Sequence, residues 1–446
     1  MSRRVTILML ALLMAFGRAA QAVGAAYGLA ERPAAPAYWG MPDRAGGHLP
    51  PHLSETGIFK DLGRLQLNDG FIPYDLVVPF WSDGANKSRW VSVPSGQTVK
   101  FSPTGEWVFP RGTVFVKTFS FVANDSTPEV LRRLETRLLV CDANGGVYGV
   151  TYKWRADNQD ADLLATNLTE TLIITTATGT REQPWYYPSR HDCLDCHTAN
   201  AGYVLGVKTR QLNRELNYPD GVADNQLRAW NHIGLFDAKL DENTLAAFPT
   251  LARLDDPNRS LTDRARSYLD ANCAHCHRPE GTVAYFDARY DTPLERQGLI
   301  DGRLLIDERI DHSRVIAPHD IWRSILYTRA NTLEAFRMPP LARNTIDQRG
   351  MTLLRQWIES LPGPPVLAPV EISPPGGHFA GPVSVLLKSE PGADIYYTLD
   401  GTVPTKEDFL YAHPVLVRGP AILRARAFKP GSTRSVTAQE IFLVGK

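Results

Sequence analysis

A chain of 446 residues exceeds what one hydrophobic core organises, so two to four domains are expected. Apolar residues make up 43% and charged residues 22%, the balance of a globular protein and not of a disordered one. Lys plus Arg and Asp plus Glu are equal at 48 each, which removes the basic excess that binding nucleic acid or an anionic membrane would need.

In chain order, the first element is a three-part leader. Ser2-Arg3-Arg4 is a positive start, Val5 to Phe16 is an apolar run too short to span a bilayer, and Ala20-Gln21-Ala22 is a small-x-small cleavage site. The expectation is a signal peptide over 1–22, with no lipoprotein cysteine behind it and no later membrane span, hence a periplasmic protein. Residues 23–50 are rich in Ala, Gly and Pro and read as a flexible lead-in.

Residues 51–189 read as a β-rich domain, best described as a β-sandwich. Thr113 to Phe121 alternates and is full of β-branched and aromatic residues, and Leu134–Val140, Val147–Tyr152 and Thr171–Thr176 continue the pattern. Asn144-Gly145-Gly146 is a hairpin signal. Cys141, in an apolar strand, reads as a buried inert thiol. From 190 to 362 the spacing turns helical. Asp224–Trp230 and Asp263–Ala271 have polar starts, and Gly350–Leu361 is strongly amphipathic before Pro362-Gly363 stops it. A Pro-rich linker over 363–369 precedes short strands and turns from 370 to 446.

Four of the five cysteines fall into two copies of one pattern, Cys193-Leu-Asp-Cys196-His197 and Cys273-Ala-His-Cys276-His277. In C-x-x-C-H each thiol adds to a haem vinyl group to form a thioether. The two-residue gap on one helical turn aligns both sulfurs with one porphyrin edge, and the adjacent His supplies an axial nitrogen to iron. A disulfide or half a zinc site is the competing reading of a single copy. Two copies behind a leader point to two covalently bound haem c groups, held by Cys193, Cys196, Cys273 and Cys276 with His197 and His277 on the irons.

The segment around the second motif resembles the cytochrome c domain family. Leu261 to Cys273 reads as a helix running into the motif. Downstream come Phe336-Arg337-Met338-Pro339-Pro340 and the helix carrying Trp357. Val315 to Tyr327 also resembles the stretch before the methionine in that family, with His319 where a glycine is common. The resemblance implies an α-helical domain over 261–362, Met338 as distal ligand of the second iron, and Tyr268 and Trp357 at a helix crossing. A core methionine is the plain alternative for Met338. Against it stand the flanking prolines and the short supply: past the leader only Met41, Met338 and Met351 remain, and Met351 belongs to a packed helix.

The first motif, in a haem segment over 190–260, follows Trp185 to Asp192, which does not read as a helix. Its distal ligand stays open. His232 is the candidate, behind a predicted helix; His191 is too near in sequence, His48 and His52 are distant, and a five-coordinate iron is the other outcome. Residues from about 50 to 362 resemble an uncharacterised family of bacterial di-haem c-type cytochromes. The resemblance rests on Pro73–Leu76, Trp81–Gly84, Glu135–Leu138 and the stretch from Cys193 to Leu212.

Residues 370–446 resemble the C-terminal domain of chitobiase and β-hexosaminidase, an immunoglobulin-like β-sandwich. Pro374–Phe379, Ile395–Gly401 and Leu423–Phe428 carry the likeness. No glycosidase carboxylate pair accompanies it, so it is expected to space or to contact, with sugar binding a weaker expectation. Taken together, the expectation is electron transfer between periplasmic redox partner proteins, with no catalytic residue assigned. The alternative is a di-haem enzyme of peroxidase type with an open first iron.

Overall fold

The computed structural model describes residues 26–445, so the leader expected over 1–22 lies outside the described residues. The first unit is a six-stranded antiparallel meander in which each strand pairs with the next: β1 (Ile72–Pro73), β2 (Asn86–Ser92), β3 (Val114–Val122), β4 (Leu131–Cys141), β5 (Val147–Trp154) and β6 (Ala161–Leu163). Alternation along β3 sorts its side chains. Val114 and Val116 join a core with Met41, Leu53 and Tyr152, whereas Phe115, Lys117, Phe119 and Phe121 point the other way. On that second face a long hairpin, β7 (Leu168–Thr176) with β8 (Gly179–Tyr187), packs Leu172, Ile174, Trp185 and Tyr187 on Phe119, Phe121 and Leu134.

The expected β-sandwich is therefore corrected. The second layer is a single hairpin, and the rest of that face is covered by chain from 204 to 248 that brings Trp230 and Phe236 against Trp107 and Phe115. The lead-in is not loose either: Ala35 and Met41 are buried, and Tyr38 donates its N–H to the Gly112 carbonyl at 2.9 Å.

Residues 190–362 carry six helices: α1 (Arg190–Cys196), α2 (Thr209–Leu212), α3 (Gln226–His232), α4 (Leu261–Asn272), α5 (Ile325–Ala330) and α6 (Gln348–Ser360). The last two predicted helices form close to their expected bounds because each is capped. Ser260 accepts from the Asp263 N–H, and Asp347 from the Gly350 N–H. The α-helical domain expected over 261–362 is nevertheless overturned. Between α4 and α5 more than fifty residues run as turns and short bridges, the only regular piece among them being Leu294–Arg296, and across the described chain strands outnumber helices. Gly, Pro and Asp punctuate that stretch too often for helical propagation.

The C-terminal unit is the β-sandwich the sequence led one to expect. One sheet joins β9 (Glu371–Ser373), β11 (Val383–Lys388) and β14 (Val415–Val417). The other runs β10 (Gly377–Phe379), β16 (Ala438–Val444), β15 (Ala421–Phe428), β12 (Asp394–Thr398) and β13 (Phe409–Leu410). Linker residue Leu367 is buried in this unit's core and donates its N–H to the Thr433 carbonyl, so the module starts before residue 370. It is docked on the preceding unit: Asp311 holds Arg426 at 3.3 Å and Arg434 at 2.9 Å, and Arg323 donates to the Ser435 carbonyl. No helix among the described residues is long and apolar enough to cross a membrane.

Candidate functional site

The first C-x-x-C-H motif sits on α1, which exists because Ser189 and Asp192 form a reciprocal capping box at its start. The helix therefore reaches back into the segment read as non-helical, and Cys193 and Cys196, three apart, share one of its faces. The helix lies against β5, where Gly149 leaves the room: a Cβ there would stand 2.6 Å from the Cys193 sulfur. His197 closes the helix. Its Nδ1 lies 2.6 Å from the Tyr203 carbonyl, which can only accept, so Nδ1 carries the proton and Nε2 keeps a free lone pair. Burial pushes this imidazole down to about 4, and it is neutral at physiological pH.

The second motif follows α4, where the chain turns back as the His277 N–H bonds the Cys273 carbonyl at 2.8 Å. His277 stacks on Phe286 with ring centroids 4.2 Å apart. Its Nδ1 is buried with no hydrogen-bond partner, and burial holds the ring neutral, down to about 4. α4 and α6 cross with Tyr268 and Trp357 in one core. A Cβ on Gly350 would meet the Tyr268 ring at 2.4 Å, so the helices touch through a glycine. Met351 is 3% exposed in that core, while Met338 is half-buried outside it, its N–H bonded to the Arg329 carbonyl. At His319 the backbone has φ +63°, the left-handed conformation a glycine takes at least cost.

The two motifs meet. The Cys196 and Cys276 side chains are near enough to act on each other's charge, which raises the Cys196 thiol and lowers Cys276. Arg278, 8% exposed, donates to Glu106 at 2.8 Å, to the Asn200 carbonyl at 3.0 Å and to the Ala274 carbonyl at 2.6 Å, stitching both motifs to the loop between β2 and β3. The Trp81–Gly84 stretch does the same for the second motif. The Trp81 N–H bonds the Asn272 side chain at 2.8 Å, and the Asp83 carboxylate accepts from Asn344 and Thr345.

Beside the first motif lies a cavity of about 200 Å³, lined by Cys193, Cys196, His197 and the second motif's His275. Leu76, Val78, Phe80, Phe115 and Val204 give it apolar walls. Across it runs a row of cations: Arg89, Lys117 and Arg137 stand directly opposite one another on β2, β3 and β4. Like charges so placed repel. Arg89 is relieved by Asp75 at 2.8 Å and Arg137 by Glu135 at 2.6 Å, but Lys117 reaches no carboxylate. Burial, then Arg89, Lys87 and Arg137, pull its ammonium well below the ordinary lysine range. Its Nζ lies 4.9 Å over the Phe119 ring, a weak compensation, so the buried cation is costly unless an anion occupies the space before it.

These residues fit a covalently held haem. Four unpaired thiols stand in two pairs, two neutral imidazoles lie beside them, and the apolar walls carry a cationic row suited to propionate carboxylates. No three His, Cys, Asp or Glu side chains converge as a metal-ion cage among the described residues. His232 is not brought to the cavity: it is exposed and stacks on Tyr27 at 3.5 Å. His52 pairs with Asp162 instead. Missed by the sequence reading were His275, hidden as a variable position inside a motif, and Lys117, a lysine in the inward phase of an alternating strand, which was the available signal. Cys141 is buried, and its thiol is pushed up to about 12 by that burial.

A family model described as the chitobiase/beta-hexosaminidase C-terminal domain matches residues 374–439. No curated protein matches the chain, and no solved structure does.

Proposed function

We propose that this chain is an exported two-haem c-type cytochrome that passes electrons between redox partner proteins in the periplasm. The observation that carries the reading is the placement of Cys193, Cys196 and His197 of the first motif, with His275 of the second, on one apolar, cation-lined cavity, the Cys196 and Cys276 side chains being near enough to act on each other's charge. Bound haem supplies one-electron redox chemistry at iron. The chain's own contribution is attachment through Cys193, Cys196, Cys273 and Cys276, and ligation by His197 and His277. Met338 is the proposed sixth ligand beside His277: Arg329, whose carbonyl holds the Met338 N–H, is also near enough to act on the His277 charge. A thioether ligand favours ferrous iron, so the second centre has the higher potential. The neighbouring attachment points suit rapid exchange of an electron between the two centres.

The C-terminal module is assigned a contact role. Tyr397 and the exposed Phe409, with rings 5.6 Å apart, form the aromatic surface suited to stacking on a sugar. The test of the main reading is the denatured mass of protein made with haem maturation machinery. Two haems above the bare mature chain are expected; the bare mass overturns the proposal.

A further inference from the structure

The first centre lacks a distal ligand in the sequence reading, and His232 lies elsewhere on the surface. Two imidazoles line the cavity around Cys193 and Cys196: His197 of the same motif, and His275, the variable position of the other motif. We propose that His275 is the sixth ligand of the iron attached through Cys193 and Cys196, so that one C-x-x-C-H segment binds one haem covalently and caps the other. This assignment rests on the two-haem reading above.

Three observations support it. His275 is half-buried and faces the cavity that holds His197, close enough for the two rings to affect each other's charge. The side chain makes no hydrogen bond to a carboxylate or carbonyl among the described residues; its polar neighbour is the Cys276 sulfur. Thioether formation converts that sulfur into a weak acceptor that no longer carries a proton or a charge, which frees the imidazole. Finally, the ring is oriented from outside: Phe80 meets it edge-on at 5.6 Å. Phe80 is itself fixed, because its carbonyl accepts from Lys87 at 2.9 Å, while Val78 exchanges two hydrogen bonds with Gln211 and the Trp81 N–H is held by Asn272. A ligand must not wander, and this strap, running from Val78 to Trp81, is what a ligand-holding device requires.

The experiment uses the full-length protein with haem attached. Optical and paramagnetic-resonance spectra of the ferric wild type are expected to show both haems low-spin. His275→Ala should convert one of the two to high-spin while the denatured mass still shows both attached, and added imidazole should restore the low-spin signal. His275→Met serves if the alanine variant fails to fold: it should keep both haems low-spin but add a second sulfur-to-iron charge-transfer band. An unchanged spectrum in His275→Ala overturns the assignment and leaves the two-haem reading standing. So does a wild type with one high-spin haem. Opening of the first centre by Lys117→Met but not by His275→Ala overturns it in favour of a lysine ligand. A bare-chain mass overturns the reading beneath it and this assignment together.

Discussion

The two C-x-x-C-H motifs share three of five residues and almost nothing of their surroundings. The first rides on a seven-residue helix against a sheet, beside a row of cations, with its imidazole fixed by the Tyr203 carbonyl. The second ends a twelve-residue helix in an apolar cluster, its imidazole stacked on Phe286 with Nδ1 unpartnered. On the two-haem proposal, identical attachment chemistry would thus sit in a charged setting and in an apolar one. Since potential follows ligands, hydrogen bonds to them and local charge, the contrast teaches that the motif fixes what is bound and the fold fixes how it behaves.

The strongest way to break the comparison is to remove the second setting. Trp357 is 0% exposed at the α4–α6 crossing, and its indole N–H bonds Thr262. Trp357→Ala should cost about 3–5 kcal/mol, as large-to-small changes in a core do. Urea unfolding followed by fluorescence checks it, and haem retention at Cys273 and Cys276 should fall while the first pair keeps its haem. Next comes the link between settings. Arg278→Ala deletes three hydrogen bonds and leaves Glu106 only Lys208, 3.7 Å away. A loss of about 3 kcal/mol is expected for a broken buried pair, with both motifs equally more open to hydrogen exchange. Protection lost at one motif alone would mean that Arg278 does not couple them.

Gly149→Ala sharpens the comparison by touching the first setting only. The new methyl falls within 2.7 Å of both the Cys193 sulfur and its Cβ, so α1 must shift. An overpacking cost of about 1–2 kcal/mol is expected, and single-haem species lacking the Cys193–Cys196 attachment should appear in the mass spectrum. Equal loss at both motifs would show that the glycine serves the whole sheet.

What the sequence made legible follows from the range of the forces involved. The motif, the helices expected over Asp263–Ala271 and Gly350–Leu361, and the alternation of β3 are local patterns, and the structure carries each at or near its expected place. The C-terminal sandwich was legible too, through the resemblance that Pro374–Phe379, Ile395–Gly401 and Leu423–Phe428 carry to a known domain, although Asp400-Gly401 is not a two-residue hairpin: the strand after it, Phe409–Leu410, begins eight residues further on. The helical domain over 261–362 was over-read: two real helices at its ends were extended across more than fifty residues whose structure is set by tertiary contacts such as Arg266 to the Tyr290 and Thr292 carbonyls. The cation row could not be read at all. It exists only once strand register brings Arg89, Lys117 and Arg137 side by side, and register is a long-range property.

The smallest expected effect bears on that row. Lys117→Met keeps the length of the side chain and deletes the charge that lacks a carboxylate. In the wild type, burial and the neighbouring cations lower the Lys117 pKa in the folded chain well below its ordinary value. The unfolded chain keeps that proton up to about pH 10.4. Between the two pKa values the unfolded state binds more protons than the folded one, so stability rises with pH across that window, and below it the full penalty applies. Lys87, lowered by burial to about 7, adds to the same slope from about pH 7 upward. The haem-free Lys117→Met protein should therefore be more stable than the wild type near neutrality, and its stability should climb less from neutral to alkaline pH. Denaturant melts at a series of pH values read this directly. In the haem-loaded protein the sign should reverse if Lys117 pairs with an anionic group of the bound haem, and its removal should lower the potential of the first centre while leaving the second in place. A variant that is stabilised equally with and without haem would mean that Lys117 meets no anion, and the first setting would lose its distinguishing charge.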